Sequence, residues 1–355
     1  MTVYIVDLEK LETRYTKQWA SHVPKLITQH GHKVVVISGP DDIPSIPTPG
    51  MFLNFSATNV YKAVQVEKIS RLFCEGKIKD GDYFLFTDAW HPGVINLKYM
   101  IDLLGINAKI GGLWHAGSYD KWDGLGRLVG NKPWVRNAEK SFFHAFDHNY
   151  FATDFHIDMF CKNLFECHTR DITEFNPGKI VRTGWPMEYM IDTLENYNTD
   201  PKRDLILFPH RIAPEKQVEI FRDLAKHLPQ YEFIVCQDTQ LEKHEYHKLL
   251  GRAKIVFSAN LQETLGISCY EGALVDAIPM VPDRLSYSEM YYDMFKYPSK
   301  WTESFEAYKV YRPELCYKII QYMNNHDQFK YQVCKQATDL TENFFSANAM
   351  LEILK

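Results

Sequence analysis

The sequence predicts an α/β protein made of two doubly wound parallel-sheet domains in tandem. Three observations carry this prediction. Short apolar runs alternate with longer stretches whose apolar residues recur at three- and four-residue spacing. The short runs are apolar throughout, as expected of strands covered on both faces. The series also restarts after a polar, proline-bearing segment, "NTDPKRD" at 198–204, and a chain of 355 residues suits two cores better than one.

The first half reads as strands over 3–6, 33–37, 51–55, 83–86 and 109–114, with helices over 15–29, 59–74 and 93–104 between them. The first crossover ends in His30-Gly31-His32, where the glycine serves as a helix stop. A strand at 149–152, a helix after Asp154 and a strand at 179–181 continue the alternation. The second half begins with the strand "LILF" (205–208), then a helix over 215–227 and the strand "YEFIVC" (231–236). A helix over 242–250, the strand "KIVFS" (254–258), a helix from Gly266 to Ala277 and the strand "IPMV" follow. Strand, helix, strand in repetition implies a parallel sheet covered by helices. The boundary is expected within 184–201, giving an N-terminal domain over 1–185, a C-terminal domain over 186–326 and a helical tail over 327–355. Ligands of open α/β sheets bind at the carboxyl ends of the strands, so a site is expected in a cleft between the two domains.

Composition narrows the function. Hydrophobic content of 45% and charged content of 24% are those of a soluble globular protein. A formal net charge of -5 excludes loose, charge-driven coating of nucleic acid, though not a local basic groove. The seven cysteines are scattered without a CxxC pair, which reads as reduced, buried thiols. "MTVYIVDLEK" reads as a first strand and not a signal peptide, and no apolar run approaches the roughly 20 residues that span a bilayer. A cytoplasmic protein is expected. The first βα turn, "DLEKLETRY", lacks GxGxxG, and neither Gly-Lys pair belongs to a Walker A motif. "DGD" at 80–82 precedes a strand and reads as a loop, not a metal site.

The segment "QETLGISCYEGALVDAIPMV" (262–281) sets Glu263 and Glu271 in a Glu-x7-Glu spacing with Gly266 between them. A helix opening near Gly266 would offer free N–H groups to an anion, and glycine lets a phosphate approach the backbone closely. Glu263, before the helix, could accept hydroxyls of a sugar, and Glu271, inside it, the paired hydroxyls of a ribose. A second constellation, "LFPHRIAPEKQ" (207–217), sets Arg211 and Lys216 just past the first strand of the second half. Arg suits bidentate contact with phosphate oxygens and Lys supplies a compact charge. Read singly, each of these is an ordinary helix acid or surface cation; together they describe a nucleoside diphosphate site.

"HRIAPEKQ" followed by "ETLGISCYEGALVDAIPMVPD" resembles the signature of retaining GT-B glycosyltransferases of the large family-four kind. Glu263, Gly266, Glu271, Ala273 and Pro279 match that pattern position for position. The resemblance implies two Rossmann-like domains facing across a cleft. It implies a nucleotide-sugar donor, a UDP-sugar, as co-substrate, with no resident cofactor and no metal. It places Arg211, Lys216 and Gly266 on the donor diphosphate, Glu271 on the ribose and Glu263 on the donor sugar. The family also carries a histidine near the anomeric centre, which "GGLWHAGSYD" supplies as His115. His115 and Glu263 are therefore the expected catalytic residues. The implied chemistry is glycosyl transfer with retention, in which a donor phosphate oxygen takes the acceptor proton. Two positions depart from the family. Thr13, Arg14, Tyr15 and Thr16 replace its usual glycine pair, and Leu265 stands where an aromatic is usual.

The acceptor is expected on the segment 114–140, where Trp114, Tyr119, Trp122 and Trp134 interleave with Lys121, Arg127, Lys132 and Arg136. Such a loop suits base stacking and phosphate pairing, a carbohydrate platform, or plain packing. With the first βα turn, it assigns acceptor contacts to Arg14, Tyr15, Tyr119, Trp122 and Arg127. These segments look similar to glycosyltransferases encoded by tailed phages. That resemblance implies DNA bearing hydroxymethylated cytosine as acceptor, with action in the host cytoplasm. A glycan acceptor, a lipid-linked acceptor and a UDP-sugar epimerase of the same two-domain type remain alternatives.

Overall fold

The computed structural model describes all residues except 12–13, 45, 49–52, 176 and 240. The chain divides into two compact units, Met1–Pro186 with Ala347–Lys355, and Met187–Ser346.

The first unit runs β1 (Thr2–Val6), α1 (Thr16–Gln29), β2 (Lys33–Ile37), α2 (Phe55–Cys74), β3 (Tyr83–Phe86), α3 (Gly93–Leu104) and β4 (Lys109–Leu113). Helices α4 (Gly124–Val129) and α5 (Pro133–Ala145), strand β5 (His148–Phe151), α6 (Asp154–Phe160), α7 (Thr169–Phe175) and β6 (Ile180–Arg182) follow. All six strands are parallel, in the order β2-β1-β3-β4-β5-β6. The interiors of β1, β3, β4 and β5 are buried on both faces, as their unbroken apolar runs required, while the edge strands β2 and β6 are partly exposed. Chain order reverses between β1 and β3, so the loops after these strands flank a switch point.

The second unit runs α8 (Tyr189–Glu195), β7 (Arg203–Phe208), α9 (Val218–His227), β8 (Glu232–Val235), α10 (Lys243–Arg252), β9 (Ala253–Phe257), α11 (Ile267–Leu274) and β10 (Ile278–Asp283). Helix α12 (Tyr287–Met290), strand β11 (Lys296–Pro298), α13 (Phe305–Asn324) and α14 (His326–Phe344) complete it, and α15 (Asn348–Ile353) belongs to the first unit. The five parallel strands take the order β11-β10-β9-β7-β8, so the switch point lies between β7 and β9. The architecture is the two-sheet α/β GT-B class that the sequence predicts.

The structure corrects several elements. No strand covers 53–55: Phe55 opens α2, capped by Asn54, whose side chain accepts from the N–H groups of Ser56 and Ala57. Met51 and Phe52, the rest of that expected strand, lie outside the described residues, as does Thr13. The helix over 215–227 is broken at Gln217, whose φ of 53° separates a 3-10 turn at Pro214–Lys216 from α9. The helix from Gly266 stops at Leu274, because Asp276 takes a left-handed φ of 60° ahead of β10. The segment 327–355 forms no separate tail: α14 packs in the second unit against α11 and β10. The segment 114–140 is not one loop but holds α4 and the start of α5. All seven cysteines are free, but Cys74 and Cys334 are exposed instead of buried.

Candidate functional site

In the second unit, the loops after β7 and β9 meet at the switch point. Lys216 ends the 3-10 turn after β7, and only 8% of its side chain is exposed. Its Nζ donates to the Gln262 carbonyl at 2.6 Å and lies 3.4 Å from Glu263 Oε2. A buried ammonium needs such partners, and here they come from the loop that opens α11. The Glu263 side chain is 19% exposed. Its Oε1 accepts from the N–H groups of Thr264 and Leu265, and its Oε2 from Asn260 Nδ2 at 3.3 Å. Burial alone would raise the Glu263 carboxyl; the charge of Lys216 and the backbone donors at Leu265 and Gly266 outweigh it and hold the pKa below the usual value.

Gly266 caps α11 with φ +80°, and a Cβ there would lie 2.6 Å from the Tyr287 ring. No other residue fits this helix opening without strain. The loop is fastened from behind. Arg284 donates to the carbonyls of Ala259, Asn260, Ser299 and Thr302, and Gln217 Nε2 bridges Ala259 and Thr302. His210, also buried, lies with its Nδ1 3.4 Å from Ser268 Oγ. Burial, helped by Lys216, drops its pKa to about 3, so it is neutral at physiological pH.

The other two donor-site candidates are engaged by partners of their own. Arg211 directs Nε and one terminal nitrogen to Glu215 Oε1, an ion pair in which the Glu215 side chain is fully buried and the Arg211 side chain 33% exposed. Glu271, on α11, accepts from the Tyr246 hydroxyl at 2.7 Å; burial raises its pKa, against the pull of Tyr246 and Lys243.

In the first unit, His115 follows β4. Its Nε2 lies 2.7 Å from the Thr87 carbonyl and its Nδ1 2.6 Å from the Tyr15 hydroxyl. A carbonyl can only accept, so Nε2 carries the proton and Nδ1 accepts from Tyr15. Burial lowers the His115 pKa, although Asp88 and the Thr87 carbonyl oppose it, which favours the neutral ring. Tyr15, Trp19 and Trp185 surround the imidazole, with Trp185 4.4 Å from it between ring centroids. The Arg14 guanidinium lies 5.6 Å from the Tyr15 ring.

The acceptor candidates separate sharply. Tyr119 is buried, with its hydroxyl 2.7 Å from His156 Nε2, and Trp114 is buried with its indole N–H on Asn149. Neither ring has a free face, so both leave the expected acceptor platform: they are core residues. Trp122 is half-buried under Lys121, Arg127 on α4 is exposed, and Trp134 at the start of α5 is 57% exposed.

No family model matches the chain, and no curated protein does. Solved structures do. The catalytic domain of starch synthase IV from Arabidopsis thaliana, bound to ADP and acarbose, is 10% identical with a TM-score of 0.62, covering 99% of this chain and 98% of that one. Sucrose-phosphate synthase from Thermosynechococcus elongatus is 9% identical with a TM-score of 0.62, covering 99% and 97%. A variant of S. aureus TarM, in complex with Fondaparinux, alpha-GlcNAc-glycerol and UDP, is 15% identical with a TM-score of 0.55, covering 85% of this chain and 60% of that one. At these identities the likeness is one of fold: the chain has the GT-B architecture of these enzymes.

Of the residues expected from sequence, the structure brings Lys216, Glu263 and Gly266 to one point, and it sets His115, expected near the sugar, beside Tyr15, expected at the acceptor. Sequence reasoning missed Asn260, His210, Arg284, Gln217 and Tyr246 around the first set, and Trp19, Trp185 and Thr87 around the second. Among these, Gln217 carried a signal, since Pro214 and Glu215 start a turn that Lys216-Gln217 ends. No helix among the described residues is long and apolar enough to cross a membrane.

Proposed function

We propose that this protein is a retaining glycosyltransferase that moves a sugar from a UDP-sugar to an acceptor hydroxyl. The observation that carries the reading is the meeting of Lys216, Glu263 and the Gly266 opening of α11 at the switch point of the second sheet. A fold needs no buried ammonium, glycine-capped helix and ionised carboxylate on two adjacent strand ends for packing. A diphosphate leaving group needs a fixed cation and helix N–H groups aimed at the charge it gains. ADP and UDP in the neighbouring structures support a nucleoside diphosphate as donor fragment. In this reading Lys216, Gly266 and Arg211 hold the diphosphate, the last by its open edge; Glu271 takes the ribose hydroxyls, Glu263 the sugar hydroxyls, and neutral His115 contacts the sugar. No protein nucleophile is required when a phosphate oxygen accepts the acceptor proton, and the sugar is transferred with retention.

For the acceptor, the reading with DNA bearing hydroxymethylated cytosine rests on exposed Trp134, half-buried Trp122 and the cations Lys121, Arg127, Lys132 and Arg136. Trp114 and Tyr119 no longer support it. The test has two stages. A thermal-shift panel of nucleotide-sugars should single out one donor, since a ligand at a hundred times its dissociation constant stabilises by ~2.7 kcal/mol. That donor is then incubated with hydroxymethylated DNA, plain DNA, glycans, lipid acceptors or nothing, and the products are weighed. A sugar increment on the modified nucleoside alone supports the DNA acceptor. Transfer to a glycan or lipid refutes the DNA acceptor and keeps the enzyme class. An isomerised donor without acceptor makes the protein an epimerase. No stabilisation by any nucleotide-sugar overturns the whole reading.

A further inference from the structure

We propose that Glu139 is the positioning residue of the His115 site, a carboxylate that clamps the loop after β3 to the loop after β4 and so fixes the orientation and tautomer of the imidazole. The inference rests on the reading of His115 as a substrate-contacting residue. Glu139 lies within α5 and is fully buried. Three donors converge on it. Its Oε1 accepts from the Ser118 N–H at 2.7 Å and from Trp90 Nε1 at 3.0 Å, and its Oε2 accepts from Ser118 Oγ. Among the described residues no ion pair involves it. Uncompensated carboxylates are expensive to bury, and packing alone would be served by an apolar side chain.

Each arm of the clamp holds a loop that carries His115 or its partner Thr87. Ser118 stands three residues after His115 in the loop that follows β4. Trp90 belongs to the loop after β3, which begins at Thr87, and the Thr87 carbonyl receives the Nε2 proton of His115. Between them, Gly117 passes so close to the carboxylate that a Cβ would lie 2.8 Å from Glu139 Oε1 and 2.4 Å from the Tyr119 ring. The loop backbone therefore packs directly on the carboxylate, with no space for a side chain between them. If the clamp opened, the Thr87 carbonyl and the imidazole would no longer be held to one spacing, and the Nε2–H tautomer would lose its preference.

The test reads the imidazole directly in the full-length protein. Nitrogen-15 long-range histidine spectra at neutral pH, with His115 assigned from a His115→Gln variant, should show an unprotonated Nδ1 and a protonated Nε2. Glu139→Gln can still accept both N–H groups on its carbonyl oxygen and should keep this signature. Glu139→Ala should move His115 to the averaged pattern of two exchanging tautomers, with binding of UDP as probe unchanged. An unaltered His115 pattern in folded Glu139→Ala overturns the proposal. If that variant does not fold, Trp90→Phe removes the arm from the loop after β3 and leaves the carboxylate and both Ser118 donors in place. An unaltered His115 pattern in Trp90→Phe overturns it equally. Failure of the glycosyltransferase reading would appear separately, as absence of UDP binding to the wild type.

Discussion

The loops after β4 and after β9 each carry a glycine beside a carboxylate, yet they are held by opposite means. The second-unit loop is fastened by charge: Lys216 faces Glu263, and the carboxylate is kept ionised. The first-unit loop is fastened by neutral donors on buried Glu139, whose pKa burial raises despite the hydrogen bonds from Ser118 and Trp90. A loop meant to bind a diphosphate gains from a fixed positive charge. A loop that presents a neutral imidazole gains from burial, which lowers the His115 pKa against the nearby charge of Asp88. The difference between anchors thus follows the difference between the proposed ligands.

The glycines offer the largest way to break this comparison. Gly266→Ala combines a left-handed φ with a Cβ 2.6 Å from Tyr287. Backbone strain of roughly 1–3 kcal/mol and overpacking of similar size make a loss of about 3 kcal/mol or more the expectation in urea unfolding. Gly117→Ala meets contacts as short, but without the left-handed backbone, and should cost less. Equal losses would show that crowding alone governs both loops.

Removing the cation comes next. Lys216→Ala should weaken UDP binding by roughly 1.5–3 kcal/mol, the scale of a hydrogen bond to a charged group. Isothermal titration calorimetry reads this as a loss of about tenfold or more. Tyr15→Phe, which removes the partner of His115 Nδ1 in the first unit, should leave UDP affinity unchanged and cost about 1 kcal/mol of stability. A Tyr15→Phe variant with weakened UDP binding would end the division of labour between the two loops.

The same contrast explains what the sequence made legible. Glu263, Gly266 and Glu271 lie within one strand-loop-helix stretch, so their spacing could be read locally, and Lys216 follows the neighbouring strand. The neutral anchor is assembled from afar: Tyr15 and His115 are 100 positions apart, and Glu139 and Trp90 49. Sequence periodicity carries no record of such pairs. Arg284 reads as a surface cation, yet it holds four carbonyls of two loops because the turn after β10 folds back on them. The misreading of 114–140 had a local remedy. Asp123 caps α4, accepting from the Leu125 N–H, and Pro133 begins α5, both ordinary helix-start signals. With those helices in place, the interleaved cations fall on exposed positions while Tyr119 turns to the core.

The smallest expected effect is the most direct on charge. The folded pKa of Glu263 is depressed, so the fold favours its carboxylate. Its contribution is present above the ordinary Glu value of 4.5 and is lost as pH falls through the folded value. The folded pKa of Glu139 is raised, so the fold favours the protonated acid. That contribution is complete below 4.5 and is lost as pH rises through the folded value. Urea unfolding of wild type, Glu263→Gln and Glu139→Gln between about pH 7 and pH 4 separates the two, with at most ~1.4 kcal/mol per pH unit from any one proton. The wild-type advantage over Glu263→Gln should shrink toward acid, while the wild-type advantage over Glu139→Gln should grow. His115 and His210, with lowered pKa values, add destabilisation toward acid; the His115 part is common to all three proteins, while His210 faces Glu263 and belongs to the difference that Glu263→Gln reads. If the two differences moved in the same direction, the loops would be anchored alike, and the contrast between a charged and a neutral clamp would fail.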